Sequence, residues 1–360
     1  MNDTITAISS TLGIGAISII RVSGKDAIEK VNNITNIDLT EKQTHTVNYG
    51  YIKENNNIID EVLITIMKAP KTFTTEDIVE INCHGGIATT EKVLELLLKQ
   101  GIRLAEPGEF TKRAFLNGRI DLTKSQAVND LINAKTDKAR QIVINNLTGT
   151  TTNKIKKLRE KLIQIISNIE VNIDYPEYQD IEEMTTKKIK QEINTIEQEL
   201  NQIIENSKNS KLITNGINIA IVGRPNVGKS SILNKLIEQD KAIVTNIPGT
   251  TRDIVEANYN LEGIVLNLID TAGIRETNDI VEKIGVEKSK KAIENSDLIL
   301  LVLNNNEKLT KEDKELLEET KNKQRIIVIN KTDLKTNIKI EEENIVKTNT
   351  QEEQGLEPLK

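Results

Sequence analysis

The chain contains no tryptophan, three phenylalanines and five tyrosines among its 360 residues. Its cores must therefore be built from Ile, Leu and Val, and the same shortage argues against a stacking platform for single-stranded nucleic acid. Cys83 is the only cysteine, which excludes an intrachain disulfide and fits a reducing compartment. The two histidines, His45 and His84, are too few for a His-rich metal site. No apolar run approaches the ~18 residues of a membrane-spanning helix. The opening MNDTITAISS has neither the basic segment nor the apolar core of a signal peptide. A net charge of -6 argues against a globally basic nucleic-acid binder, though not against a local patch. These absences predict a cytoplasmic enzyme with no membrane contact.

What is present falls into three textures, predicting a multidomain chain of mixed α+β and α/β class. Residues 1–119 mix short β-like runs (Ala16–Val22, Val62–Met67, Ile78–Ile81) with helical stretches such as Thr90–Lys99, the pattern of an α+β domain. Over 120–212 glycine nearly vanishes and apolar residues recur at helical spacing. One stripe is Leu158, Leu162, Ile165, Ile166 and Ile169, and a second is Ile189, Ile193, Ile196, Leu200 and Ile203. Pro176 should break the helix between them. The basic piece Lys154–Lys161 has two readings, a contact with an RNA backbone and a solvated helix face, of which the second is favoured. From 213 to 360 strand, turn and helix alternate, with buried-strand candidates at Ile217–Val222, Val265–Ile269, Leu298–Leu303 and Arg325–Ile329. That pattern predicts a doubly wound sheet.

Chemistry concentrates in this last region. Gly223-Arg224-Pro225-Asn226-Val227-Gly228-Lys229-Ser230 fits the phosphate-binding pattern G-x-x-x-x-G-K-[ST], between an apolar strand and the helix that continues through Ser231. Backbone N–H groups of such a loop close around phosphate oxygens, and the helix N-terminus adds a favourable dipole. Lys229 would reach the β- and γ-phosphates and Ser230 would ligate Mg²⁺. Asn330-Lys331-Thr332-Asp333 follows the strand RIIVI. The Asp333 carboxylate can accept two hydrogen bonds from guanine, whereas adenine would leave buried acceptors unpaired. Asn330 would brace that loop, and the Lys331 stem would cover the base. The intervening segment Thr245-Asn246-Ile247-Pro248-Gly249-Thr250-Thr251 has the spacing of a switch loop, with Thr251 as the second Mg²⁺ ligand. Asp270-Thr271-Ala272-Gly273 has the form of a γ-phosphate-sensing turn. It is followed by Ile274, which offers no side-chain hydrogen bond, where Ras-like proteins carry a water-orienting Gln. The order of motifs marks a GTPase.

These motifs and the sequence before them resemble the MnmE (TrmE) family of tRNA-modification GTPases over essentially the whole chain. The resemblance rests on Asp3-Thr4-Ile5 with Ile20-Arg21-Val22-Ser23-Gly24, on Glu80-Ile81-Asn82-Cys83-His84-Gly85-Gly86, and on the long run Pro107–Leu122. It implies that 1–119 binds a tetrahydrofolate and dimerises, that 120–212 is part of a helical domain, and that 213–360 is the GTPase domain. Folate contacts map onto Arg21, Glu80 and Arg119, with a 5-formyl-tetrahydrofolate or related one-carbon donor implied. An FAD-containing partner of the MnmG (GidA) type would complete a heterotetramer acting on the wobble uridine of certain tRNAs, adding a carboxymethylaminomethyl-type group at carbon 5.

The resemblance also implies an answer to Ile274. Family members are potassium-activated: Asn226 matches a side-chain K⁺ ligand, and the loop from Thr245 to Thr250, through Thr245, Ile247 and Thr250, matches the segment that wraps the ion. Glu282 matches the carboxylate that orients the attacking water. Two departures qualify this. The family chain normally continues past the point where residue 360 falls and ends in Cys-x-Gly-Lys, so the two helical stripes are expected to lack part of their partner face. Asn349-Thr350-Gln351 stands where Ser-Ala-Lys is expected, which predicts weaker nucleotide binding with base choice kept. Two other readings stay open: a ribosome-assembly or regulatory switch that hydrolyses GTP without modifying tRNA, and a GTP sensor that does not hydrolyse.

Overall fold

A computed structural model of the chain describes residues 3–175, 184–239, 257–270, 290–352 and 355–359. The chain divides into two compact units, Met1–Asn129 and Asp130–Lys360.

The first unit is built on a six-stranded sheet in the order β3-β4-β5-β2-β1-β6. Its strands are β1 (Ile5–Ile8), β2 (Ile17–Ser23), β3 (Thr46–Glu54), β4 (Asn57–Met67), β5 (Ile78–His84) and β6 (Arg103–Leu104). All neighbours are antiparallel except β1 and β6. The turn joining β3 to β4 is Asn55-Asn56, both at positive φ (47° and 73°). Asn tolerates that region, and such two-residue turns match the twist of a hairpin.

Strand alternation sorts the side chains. Ile20, Val22, Val62, Ile64, Ile66, Val79, Ile81 and Cys83 form one buried cluster with Ala27, Ile28 and Val31 of α1 (Ala27–Asn32) and Val93, Leu96 and Leu97 of α2 (Ile87–Lys99). Arg21 of β2 and Glu80 of β5 point to the opposite face, where Ile17, Val47, Tyr49 and Leu63 are exposed.

A charged knot closes this unit. Arg113, in α3 (Glu109–Leu116), is 1% exposed. It donates to the Asp3 carbonyl at 2.8 Å, to Asp3 Oδ1 at 2.9 Å, and to Glu109 Oε1 and Glu76 Oε1 at 3.2 Å. Arg103 donates to Asp3 Oδ2 at 2.7 Å and Glu109 Oε1 at 2.6 Å. The Arg103 hydrogen bond, with further help from the Glu106 backbone N–H and Arg113, holds the buried Glu109 carboxyl down at about 2.

The second unit holds a sheet in the order β12-β11-β10-β7-β9-β8. The strands are β7 (Ile217–Val222), β8 (Ala257–Leu261), β9 (Ile264–Asp270), β10 (Leu298–Asn304), β11 (Arg325–Asn330) and β12 (Ile345–Lys347). All pairings are parallel except β8 with β9. The four runs expected from sequence are therefore the central strands, extended by one residue in β10 and β11 and at both ends of β9. The additional strands β1, β3, β6, β8 and β12 carry no buried apolar run of their own. β6 and β12 are only two and three residues long, and β3 and β8 mix polar and apolar residues. The multidomain α+β and α/β class stands.

Helix α4 spans Leu122–Asn133, and α5 (Asp137–Leu147), α6 (Thr150–Asp174) and α7 (Thr186–Asn215) precede the second sheet. α6 ends at Asp174 with Tyr175 as its cap, as expected ahead of a proline; Pro176 itself lies outside the described residues. Leu158, Ile165 and Ile196 are buried together, with Ile169, Met184 and Ile203 against them. Leu162, Ile166, Ile193 and Leu200 from the same stripes remain exposed. The later helices are α8 (Lys229–Gln239), α9 (residues 290–295) and α10 (Lys311–Glu319). No helix among the described residues is long and apolar enough to cross a membrane.

The knot around Arg113 sets two expectations. Arg113→Ala strands buried carboxylates and should cost about 3–5 kcal/mol, read by chemical unfolding of the whole chain. Because Glu109 is depressed, its contribution is complete above its ordinary value near 4.5 and fades as pH falls toward 2. Thermal unfolding should accordingly show the deficit of Glu109→Gln at pH 7 shrinking steadily between pH 5 and pH 2. A constant deficit across that range rejects the assignment.

Candidate functional site

The phosphate loop starts where β7 ends in the middle of the sheet. A Cβ at Gly223 would stand 2.5 Å from the Val302 carbonyl oxygen of β10, so only glycine lets the chain leave the strand there. Gly228 lies at φ +101°, and a Cβ there would collide with the Asn330 side-chain amide. Between them Asn226 is exposed at φ 64°, and Val227 is buried in the apolar cluster beneath the loop. Lys229, 6% exposed, folds back over the loop and donates to the carbonyls of Gly223 at 2.7 Å and Arg224 at 2.8 Å. Ser230 and Ser231 are exposed in the first turn of α8.

The base-side loop is tied to this one by buried contacts. Asn330, fully buried at the end of β11, donates from Nδ2 to the Val227 carbonyl at 3.0 Å, and its Oδ1 accepts from Thr348 Oγ1 at 3.3 Å. Lys331, at φ 64°, donates from Nζ to the Asn226 carbonyl at 2.8 Å. Thr332 donates from Oγ1 to the Thr348 carbonyl at 3.1 Å, and Asp333 is exposed just beyond. Asn349, 5% exposed, uses its Oδ1 to accept the Gln351 N–H at 3.0 Å. Lys235 of α8 reaches the carbonyls of Thr350, at 3.0 Å, and Glu352. The chain segments of Asn226–Ser231, Asn330–Asp333 and Asn349–Gln351 thus meet at the carboxyl ends of parallel strands, where open α/β sheets bind ligands.

Of the other residues expected from sequence, Asp270 ends β9, at the same edge. Thr245, Asn246, Ile247, Pro248, Gly249, Thr250, Thr251, Thr271, Ala272, Gly273, Ile274 and Glu282 lie outside the described residues.

In the first unit, Arg21 and Glu80 face each other across β2 and β5. Arg21 donates from Nε to Glu80 Oε1 at 2.8 Å, with Nη2 at 2.6 Å from the same oxygen, and its guanidinium stands 5.6 Å from the Phe110 ring. Arg119 is held differently. It lies 5.0 Å from the Phe73 ring and lines a cavity of about 490 Å³ with Met67, Lys71 and Asn117, among others. Arg21 and Glu80 are not among that cavity's lining residues.

Two features were missed in the sequence. Asp60, 9% exposed, binds His84 through both oxygens, at 2.7 Å to Nδ1 and 2.8 Å to the backbone N–H. The Asp60 hydrogen bond pushes the His84 imidazole above its ordinary value. Arg224 is the second feature, paired with Glu307 and Asp313. The motif that contains His84 signals the first, whereas nothing local signals the second.

Comparison with known proteins supplies the context for both units. The family model described as GTP-binding protein TrmE N-terminus matches residues 4–119, and the one described as MnmE helical domain matches residues 122–360. The chain belongs to the MnmE family. A protein described as tRNA modification GTPase MnmE from Bacillus cytotoxicus is 53% identical over 367 aligned positions, covering 99% of this chain and 80% of its own length. Its namesake from Streptococcus thermophilus is 55% identical over 341 positions, covering 94% of this chain and 75% of its own. The MnmE relatives are thus longer than this chain, and likeness to them extends through both units.

Asn330→Ala deletes one buried bond to each neighbouring loop and leaves the Val227 carbonyl unpaired. The expected cost is about 1–3 kcal/mol in stability, together with weakened GDP binding. Calorimetric unfolding and nucleotide titration of the same sample check both parts.

Proposed function

We propose that the chain hydrolyses GTP and takes part in modifying the wobble uridine of tRNA, in the cytoplasm; its MnmE relatives are described as tRNA modification GTPases. The observation that carries this reading is the buried link from Asn330 to Val227, which fixes the guanine-reading loop against the phosphate loop. We further propose the functional division into a tetrahydrofolate-binding and dimerising region (1–119), a helical region (120–212) and a GTPase region (213–360). The FAD-containing partner of MnmG type belongs to this proposal, as does addition of a carboxymethylaminomethyl-type group at carbon 5.

The donor sets suit the groups assigned to them. Ser230, exposed at the start of α8, and Thr251 would hold Mg²⁺; a lone hydroxyl in each of two loops is the pattern of phosphate-bridged Mg²⁺ sites, in which waters and phosphates fill the remaining positions. Asn226 would hold K⁺ with oxygens of Thr245, Ile247 and Thr250. Its exposure, and the grip of Lys331 on its backbone carbonyl, suit it to present a side-chain oxygen at a fixed place. Held by Asn226 and the switch loop, a monovalent cation would supply charge neutralisation near the β–γ bridge, the task of an arginine finger elsewhere. Lys229 binds the phosphate oxygens, Asp333 orients guanine, and Glu282 accepts a hydrogen bond from the attacking water, directly or through a second water. Ile274 then needs no role.

For the folate, Arg21, Glu80 and Arg119 offer two cations and a carboxylate, matching a glutamate tail and a pterin amino-imine edge. Within the first unit Arg21 and Glu80 pair with each other, so a ligand engaging both must replace that ion pair.

Turnover in KCl compared with NaCl tests the cation. Marked activation by K⁺, lost in Asn226→Ala, is expected; equal rates in the two salts reject it. Glu282→Ala should lower kcat by about 10²-fold or more while GTP binding changes little. Unaltered turnover removes Glu282 from the mechanism. Restoration of the modified nucleoside in a strain lacking its own family member separates tRNA modification from a ribosome-assembly switch.

A further inference from the structure

The phosphate loop is gripped at its second residue by side chains that no motif contains. Arg224 sends its guanidinium from the loop's second position toward the start of α10. Nε donates to Asp313 Oδ1 at 2.8 Å and Nη2 to Glu307 Oε2 at 2.7 Å. Both carboxylates are themselves fixed. Asp313 is 2% exposed, and its Oδ2 accepts the Thr310 N–H and hydroxyl, each at 2.9 Å, closing the capping box of α10. Glu307 Oε1 accepts from Asn304 Nδ2 at 2.6 Å, and Asn304 Oδ1 in turn accepts the Asn306 N–H at 3.1 Å. Asn304 ends β10 directly opposite Asn330 in the sheet register.

A solvated arginine tolerates exchange for lysine. An arginine engaging two carboxylates through different nitrogens in a fixed fork does not. The loop is therefore anchored at three successive places by side chains from elsewhere: at Arg224 by the α10 cap, at Asn226 by Lys331, and at Val227 by Asn330. Only the first of these anchors comes from outside the guanine-reading loop.

We propose that Arg224 is a positioning residue for GTP hydrolysis: clamped by Asp313 and Glu307, it fixes the first half of the phosphate loop, and with it the Asn226 amide. This rests on the reading of Asn226 as a cation ligand given above. The second half, Gly228–Ser231, supplies the backbone N–H groups and the helix N-terminus that bind phosphate, and its hydrogen bond to Arg224, from Lys229 Nζ, goes to the backbone carbonyl rather than to the clamped guanidinium. Loss of the clamp should therefore act on turnover and leave resting affinity nearly intact. Small misplacements of a reacting constellation cost far more in rate than in binding.

The experiment compares wild type, Arg224→Ala, Arg224→Lys, Asp313→Asn and the Arg224→Ala/Asp313→Asn pair in the full chain. Steady-state kcat and KM for GTP, equilibrium GDP affinity and the KCl concentration for half-maximal rate are measured, with circular dichroism melts as a control of folding. Arg224→Ala is expected to lose about tenfold or more in kcat, on the scale of a slightly displaced active-site group. Its GDP affinity should stay within about threefold, a change of under one kcal/mol by the usual conversion, and its KCl requirement should rise. Arg224→Lys should recover only part of the rate, and the double variant should be no worse than the worse single one, because both act on one contact.

Turnover of Arg224→Ala within twofold of wild type overturns the proposal. So does a parallel loss of kcat, GDP affinity and melting temperature, which is what a merely structural salt bridge predicts. Should wild type itself ignore potassium, the cation reading fails on its own, and the split between kcat and GDP affinity still decides whether Arg224 positions the loop.

Discussion

The second unit is organised around a side-chain amide that bridges two loops from opposite parts of the sequence. Asn330 sits at zero exposure between the Val227 carbonyl and the Thr348 hydroxyl, with its own carbonyl accepting from the Asn305 N–H. A carbonyl in that position, shielded from water, needs a donor, and leaving it unpaired is costly. Satisfying it forces the end of β11 toward the phosphate loop and leaves no room for a Cβ at Gly228. The placement of Lys331 over the Asn226 carbonyl follows from the same approach. The nucleotide site is in this sense a by-product of satisfying buried polar groups at the carboxyl edge of a parallel sheet.

The first unit solves a different problem with ions. Its β1, α3 and the Glu76 loop are brought together by Arg113 and Arg103 against three carboxylates. Hydrophobic residues of similar volume could fill such a space with comparable stability, but an ion network accepts few alternative arrangements. Glu76 also accepts from Ser23, which bonds Thr74, and Asn117 donates to the Thr74 carbonyl. The network thus runs to the rim of the cavity lined by Phe73, Asn117 and Arg119.

Legibility in the sequence followed the locality of the physics. The motifs at Gly223–Ser230 and Asn330–Asp333 were readable because each is contiguous, and the structure brings the two segments together through Asn330 and Lys331. The four central strands were readable because burial on both faces demands unbroken apolar runs. The edge strands β3 and β8 were not, since half-exposed strands admit polar residues that also suit loops. Arg224 and Asp313 lie 89 positions apart, and a charged residue in an acidic chain carries no sign of its partner. The mutual pairing of Arg21 and Glu80 needed the β2–β5 register, which composition does not encode.

Helix α8 has a consequence beyond its dipole. It opens at Lys229 and Ser230 on the phosphate side, and Lys235, less than two turns later, grips the carbonyls of Thr350 and Glu352 on the base side. One helix therefore joins the phosphate-side turn to the segment of Thr350 and Glu352. A tilt of that helix at one end must be felt at the other, so the two loops move together.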